Sequence, residues 1–148
     1  MTTRFNNFLP FIYDHENAYN KRHEVVVENV AGDPGGCTKY GIDKASHPGV
    51  DVANLTEPQA REIYWQEWQA ARADDMPAGV GECFFNCCVN CGVGRARKIA
   101  ALGPKTVSDF IDQQENFYRR LCEQKSTLRK FLKGWLARTA DLRKYLNA

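Results

Sequence analysis

The spacing of hydrophobic residues along the chain predicts a mainly helical protein with one small sheet near its N-terminus. Apolar residues that recur every three to four positions are typical of amphipathic helices. Four stretches have this period: residues 4–19, 56–71, 106–122 and 126–146. Residues 21–30 instead contain β-branched valines with a period of two, which suits a strand better than a helix. Residues 38–42 can form the returning strand, so we expect a sheet of two or three strands.

The most apolar segment of the chain, residues 80–93, carries hydrophobic side chains on nearly every face of a helix. This pattern predicts a central helix that other helices surround. Asn86 and Asn90 lie one turn apart on it. Buried asparagines need hydrogen-bond partners, so this pair either ties loops to the core or lines a cleft.

Four of the six cysteines lie in a span of nine residues, 83–91, inside this central segment. Cys83, Cys87 and Cys91 are spaced i, i+4, i+8 and therefore share one helical stripe. Three thiolates could bind a soft metal only if the stripe were open, and no histidine lies in the segment. The pattern favours small apolar core residues over a metal site or a disulfide framework.

Length and composition are those of one globular domain that spans residues 1–148, with 43% hydrophobic and 26% charged residues. No apolar run approaches the roughly 18 residues that a membrane-spanning helix needs. The first residues lack the apolar core and cleavage site of a signal peptide. We therefore expect synthesis in the cytoplasm, with release or another export route for any work outside.

Positive charge is concentrated near the C-terminus. Residues 119–144 contain nine Lys or Arg residues against two acidic ones, although the whole chain carries only +2. Such a segment could contact nucleic acid, anionic lipid or another anionic polymer, or form a solvated helix face. Leucines and Trp135 at helical spacing predict that the segment packs on the body of the protein. Because the sequence contains no recognised DNA-reading motif, nucleic acid is the weakest of these partners.

A turn-rich segment follows the first helix and carries the candidate chemistry. Residues 33–42 read Asp-Pro-Gly-Gly-Cys-Thr-Lys-Tyr-Gly-Ile. Proline presets one backbone angle and glycine permits positive ones, so the chain can fold back here. The turn would then hold Thr38 near the end of the preceding helix, which carries His15 and Glu16. We expect Glu16 to face the turn across a cleft.

These segments together resemble glycoside hydrolase family 108, the lysozyme-like N-acetylmuramidases found among phage endolysins and bacterial wall-active proteins. The resemblance covers nearly the full chain. It rests on Glu16 with the turn at 33–42, the helix start at 55–60, the central segment 84–92 and the element Gly134-Trp135-x-x-Arg138. It implies a mainly α (α+β), lysozyme-like fold, in which helices surround a central apolar helix beside a small N-terminal hairpin or sheet.

The resemblance also implies a reaction, hydrolysis of the β-1,4 bond between N-acetylmuramic acid and N-acetylglucosamine in bacterial peptidoglycan, without a metal or other cofactor. Glu16 matches the family's general acid. By analogy with phage-type lysozymes, Thr38 could position the attacking water and Asp33 could act as electrostatic partner or base. The second carboxylate stays open among Glu28, Asp33 and Asp43, because Asp33 is equally suited to stabilising the turn.

Four further residues are candidates for contact with the substrate or its surroundings. Tyr40, Asn86 and Asn90 could bind the sugar, and His15 could tune Glu16. Besides peptidoglycan, the basic C-terminal helix could contact an anionic membrane. We expect a monomer and no nucleic-acid partner.

The alternative hypothesis is that the protein has no catalytic activity. Asn17 and Ala18 follow Glu16, where the family usually has two glycines. The chain could therefore be a peptidoglycan-binding or secretion-associated module that has kept the fold.

Overall fold

The computed structural model describes residues 1–29 and 36–148. Three of the turn residues discussed above, Asp33, Pro34 and Gly35, lie outside this range. By internal contacts the chain divides into two compact units, Met1–Glu67 and Trp68–Ala148.

The described residues form six α-helices and three short strands. Their order is α1 (Thr3–His15), β1 (Val27–Asn29), β2 (Cys37–Lys39), β3 (Ile42–Asp43), α2 (Glu57–Ala70), α3 (Val80–Cys91), α4 (Val93–Ala100), α5 (Val107–Gln124) and α6 (Arg129–Tyr145). Single turns of 3-10 helix occur at Ala73–Asp75 and Ser126–Leu128. The prediction of a mainly helical chain with a small N-terminal sheet is confirmed.

In the first unit, Thr2 caps the start of α1, because its hydroxyl oxygen accepts a hydrogen bond from the Phe5 backbone N–H. Its apolar stripe, which includes Phe5, Phe8 and Ile12, is buried. Pro10 lies inside the helix on an exposed position, and the helix continues through it. The last helical residue is His15, and Glu16 follows it as the C-terminal cap, so Glu16 lies at the end of the helix as the sequence predicts.

The sheet has the order β1-β2-β3, and both pairs of strands are antiparallel. Its first strand is shorter than the sequence pattern predicts, because residues 20–24 form a tight loop. The side-chain oxygen of Asn20 accepts hydrogen bonds from the backbone N–H groups of Arg22 and Glu24, and His23 has a positive φ of 57°. An asparagine that bonds nearby backbone in this way competes with strand pairing.

In the second unit, α3 is the central helix that the sequence predicts. Every residue from Val80 to Cys87 is buried, and α3 packs against α4 and α5. Glu82 accepts a hydrogen bond from the Gly79 backbone N–H at 2.7 Å, which satisfies a donor at the helix start. Helix α6 packs along α5. All six cysteines are free thiols, so the cysteine-rich segment forms no disulfide.

Candidate functional site

A cleft of about 190 Å³ lies in the first unit, between the end of α1 and the sheet. The helix end contributes Glu16 and Asn17, and the chain around β1 contributes Val26 and Glu28. Residues 38–41, which are the end of β2 and the following turn, form the opposite side. The cleft therefore contains the candidate acid, the candidate threonine and a second carboxylate.

Glu16 is positioned by the way α1 ends. Its backbone N–H donates to the Ile12 carbonyl oxygen at 2.8 Å, so it closes the last turn of the helix. Asn17 then has a φ of 53°, in the left-handed region. Asparagine enters this region more readily than most non-glycine residues. The Asn-Ala sequence after Glu16 thus still lets the chain turn away, and Ala18 is fully buried.

The turn approaches Glu16 closely at Gly41. This glycine has a φ of 78°, and a Cβ atom built on it would lie 2.5 Å from the Cβ of Glu16. The same Cβ would lie 2.5 Å from the hydroxyl oxygen of Tyr64, which donates a hydrogen bond to the Tyr40 carbonyl. Only glycine satisfies both the positive φ and the close contact.

Thr38 occupies the middle of a polar row across the three strands. It is paired with Glu28 on β1 and with Asp43 on β3. Residues directly opposite each other on neighbouring strands point to the same face of the sheet. Since Thr38 and Glu28 also both line the cleft, their side chains can act on the same bound molecule.

Asp43 stabilises a turn, whereas Glu28 lines the cleft. Its carboxylate accepts a hydrogen bond from the Ser46 backbone N–H at 2.7 Å, which stabilises the turn after β3. Burial by itself raises the pKa of Asp43, but the hydrogen bonds from Ser46 and the nearby His47 outweigh burial and lower it. Of the two described candidates for the second carboxylate, Glu28 is therefore the one that lines the cleft.

Tyr40 lines the cleft, but most of its surface is buried. The centre of its ring lies 6.1 Å from that of Tyr13 and 5.8 Å from that of Tyr19. Tyr13 in turn donates a hydrogen bond to Glu57 at 3.1 Å. Burial, with Glu57 as the next cause, raises the pKa of Tyr13. Tyr13 and Tyr19 therefore support the turn through their ring contacts with Tyr40.

The remaining predicted site residues lie elsewhere. His15 is half-buried, its ring 4.3 Å from that of Phe11, and it does not line the cleft. Asn86 and Asn90 belong to the second unit. Asn86 is fully buried and accepts a hydrogen bond from Arg138 at 2.9 Å, while Asn90 donates to Tyr118. Their hydrogen bonds join α3 to α6 and α5, not loops to the core, and neither asparagine lines this cleft.

One cleft residue was not singled out from the sequence. The ammonium group of Lys39 lies 5.7 Å from the centre of the Tyr40 ring and 3.4 Å from the Ala53 carbonyl oxygen. It adds a positive charge to a cleft that otherwise carries two carboxylates. Its position next to Thr38 in the returning strand is the signal that could have identified it.

The described ranges 1–29 and 36–148 contain no group of three or more His, Cys, Asp or Glu residues arranged to hold a metal ion. Within the same ranges, no helix combines the length and the apolar character needed to cross a membrane.

Comparisons with known proteins agree with the fold and with the predicted family. The solved structure of Brucella abortus SagA is similar, with a TM-score of 0.70 and 24% sequence identity over 96% of this chain and 92% of that one. Among curated proteins, none matches the sequence. The family model described as Glycosyl hydrolase 108 matches residues 18–92, about half of the chain, beginning two residues after Glu16. The predicted lysozyme-like fold is thus confirmed, and the chain belongs to the glycosyl hydrolase 108 family.

Proposed function

We propose that this glycoside hydrolase is an N-acetylmuramidase, which cleaves the β-1,4 bond between N-acetylmuramic acid and N-acetylglucosamine in peptidoglycan. Family membership supports glycoside hydrolysis. The observation that carries the finer proposal is the cleft in which Glu16, Glu28 and Thr38 meet. Two carboxyl groups around one binding site are what cleavage of a glycosidic bond requires.

Glu16 is the proposed general acid. It ends α1 in a geometry that the helix, the buried Ala18 and the close approach of Gly41 all hold in place. A rigid support matters because a proton donor must lie within hydrogen-bond distance of the leaving oxygen. In this role Glu16 protonates the glycosidic oxygen as the bond to the anomeric carbon breaks.

Thr38 and Glu28 are proposed to act on the other side of the reaction. The Thr38 hydroxyl can hold a water molecule, and the Glu28 carboxylate, directly across the strand pair, can accept its proton or stabilise positive charge on the sugar. Asp33, the other candidate for this carboxylate, lies outside the described residues, and its role stays a prediction.

The first experiment measures clearing of purified peptidoglycan sacculi by the full chain and by Glu16→Gln. The substitution removes the acidic proton while keeping the size of the side chain, so we expect clearing to fall at least about a hundredfold. Asp14→Asn is the matched control, because it neutralises an exposed carboxylate two residues earlier on the same helix. Clearing that is equal in Glu16→Gln and the parent would remove Glu16 from this role.

Analysis of the released fragments then tests the bond. A muramidase leaves N-acetylmuramic acid at the reducing end, whereas a glucosaminidase leaves N-acetylglucosamine. If the parent chain binds sacculi but releases no sugar, the non-catalytic wall-binding module is correct instead. The left-handed conformation of Asn17 argues against that alternative, because the chain makes its turn after Glu16 without the family's two glycines.

A further inference from the structure

Two thiols lie in contact at the C-terminal end of α3, in the second unit. The sulfur atoms of Cys87 and Cys91 are 3.2 Å apart, and the Cys91 sulfur also lies 3.1 Å from the Cys87 carbonyl oxygen. Cys87 is fully buried, whereas Cys91, the last residue of the helix, is half-buried. A small molecule in solution can therefore reach one sulfur of the pair, and the second sulfur is next to it.

The surroundings of Cys91 favour its thiolate. Burial raises the pKa of Cys91, but the hydrogen bond with the Cys87 thiol outweighs burial and lowers it. The Tyr118 hydroxyl and the positive charges of Arg95 and Arg138 act in the same direction. Since the thiolate is the nucleophilic form of cysteine, the accessible member of the pair is also the more reactive one.

The neighbouring cysteines of α3 lack this combination. Cys83 shares the helical stripe, but it is fully buried, and burial raises its pKa to about 12. Cys88 is half-buried like Cys91, but it lies about 100° round the helix from Cys87 and so faces another direction. Access from solvent and a second thiol in contact thus coincide at Cys91.

The geometry of the helix permits a disulfide between these two residues. Residues four apart in an α-helix have Cα atoms about 6.2 Å apart, within the range of about 4.4–6.8 Å that disulfides span. From their separation of 3.2 Å, the sulfurs have to approach by about 1.2 Å. The Cβ atoms, about 5–6 Å apart in a regular helix, have to come within about 4.5 Å. Because Cys91 ends α3 and Gly92, with a φ of 88°, separates it from α4, this movement falls on the final turn and on the junction of the two helices.

We propose that Cys87 and Cys91 form a redox-reactive dithiol, in which a hydroperoxide oxidises Cys91 and Cys87 then converts the sulfenic acid to a disulfide. The site is independent of the reaction proposed for the cleft, which uses no thiol. Its oxidation state would set the backbone of the junction between α3 and α4.

The reaction has two steps. In the first, the Cys91 thiolate attacks the hydroxyl oxygen of the hydroperoxide. A sulfur–oxygen bond forms, the oxygen–oxygen bond breaks, and the departing alkoxide or hydroxide takes up the proton that Cys91 has lost. In the second, the Cys87 sulfur attacks the Cys91 sulfur, a sulfur–sulfur bond forms, and hydroxide leaves with the Cys87 proton as water. The two sulfurs together lose two electrons, which the peroxide gains.

The test treats the reduced full chain with hydrogen peroxide at neutral pH and locates the oxidised sulfurs. Free thiols are blocked with iodoacetamide in denaturant, disulfides are then reduced, and the released thiols are labelled with N-ethylmaleimide before peptide mapping by mass spectrometry. We expect N-ethylmaleimide on Cys87 and Cys91, incorporated at least about tenfold faster than on Cys88. A dithiol reductant added before the blocking step should abolish this labelling.

Two single variants separate the roles of the sulfurs. Cys87→Ser keeps a hydrogen-bond donor beside Cys91 but cannot form the disulfide, so the Cys91 sulfenic acid should persist and react with dimedone at least about fivefold more than in the parent. Cys88→Ser is the matched control, because it replaces the adjacent cysteine on another face, and it should form the same disulfide as the parent. Thermal unfolding verifies that both variants are folded.

N-ethylmaleimide on a different pair of cysteines, or on none, would overturn the proposal. Equal reaction of dimedone with Cys91 in the parent and in Cys87→Ser would also overturn it, because Cys87 would then not act on the sulfenic acid. If Cys87→Ser fails to fold, the position of N-ethylmaleimide in the parent decides the question alone.

Discussion

Gly41 lies against Glu16 so closely that a single additional carbon on the glycine would overlap the side chain of the glutamate. The Cβ-to-Cβ distance would be 2.5 Å, far below the separation of carbon atoms in normal contact. The turn after β2 and the end of α1 are therefore in direct contact at the position of the proposed acid. The geometry of the cleft depends on this contact, since both of its sides meet here.

Replacement of Gly41 by alanine should destabilise the first unit and disturb the cleft together. The positive φ and the overlap with Glu16 and Tyr64 together cost about 2–4 kcal/mol of unfolding free energy. Urea unfolding measures the stability, and clearing of sacculi measures the activity. The control is Gly49→Ala, because Gly49 lacks a positive φ and has nothing within 4 Å of a built Cβ. A Gly41→Ala protein as stable and active as the control would contradict the close contact.

Glu28 and Asp33, two of the candidates for the second carboxylate, can be separated by the effects of their replacement on activity and stability. Glu28→Gln should reduce clearing of sacculi at least about tenfold while leaving stability within about 0.5 kcal/mol, because Glu28 is an exposed residue that lines the cleft. Asp33→Asn is measured beside it. If Asp33→Asn abolishes clearing and Glu28→Gln retains it, Asp33 is the second carboxylate and Glu28 is not.

Features of the fold that depend on local sequence could be predicted. The end of α1 at Glu16 follows from the period of Phe5, Phe8 and Ile12, and the buried central helix follows from its apolar composition. The length of the first strand was not predictable from the valine pattern, because the decisive interaction is the bonding of the Asn20 side chain to backbone N–H groups. Such side-chain bonds leave no periodic signal.

Features of the site that depend on contacts between distant residues could not be predicted. Turn composition shows that Gly41 can adopt a positive φ, but its contact with Glu16 arises only when α1 and the turn pack together. Tyr40 has the residue type of a sugar contact, yet its ring is buried against Tyr13 and Tyr19. Likewise, the sequence does not distinguish Glu28 from Asp43 as the second carboxylate, whereas the lining of the cleft by Glu28 and the hydrogen bond from Ser46 to Asp43 do.

Asp43 should make the fold sensitive to acid. Hydrogen bonds from Ser46 and the charge of His47 outweigh burial and lower the pKa of Asp43 in the folded state, so the fold favours the ionised carboxylate. This stabilisation is present above the ordinary pKa of aspartate and is lost as the pH falls through that value towards the lower folded pKa. The unfolding free energy of the parent should therefore fall more steeply between about pH 5 and about pH 2 than that of Asp43→Asn. Parallel curves for the two proteins would contradict this role.

The thiols of α3 should differ in reactivity although they share one helical stripe. The sulfur atoms of Cys87 and Cys91 lie 3.2 Å apart. The hydrogen bond between these two thiols is the main cause that lowers the pKa of Cys91, with a smaller contribution from the Tyr118 hydroxyl. The same bond raises the pKa of Cys87, and burial raises that of Cys83 to about 12. Because the thiolate is the reactive form, Cys91 should be alkylated at a lower pH than Cys83 or Cys87.

Iodoacetamide labelling at a series of pH values, with peptide mapping by mass spectrometry, measures this order directly. Tyr118→Phe removes one hydrogen-bond donor to Cys91 and should move its labelling curve to higher pH. Cys88, half-buried on another face of α3, serves as an internal reference for exposure within each sample. If Cys83 and Cys87 are labelled as readily as Cys91, the hydrogen-bonded pair does not set the ionisation of these thiols.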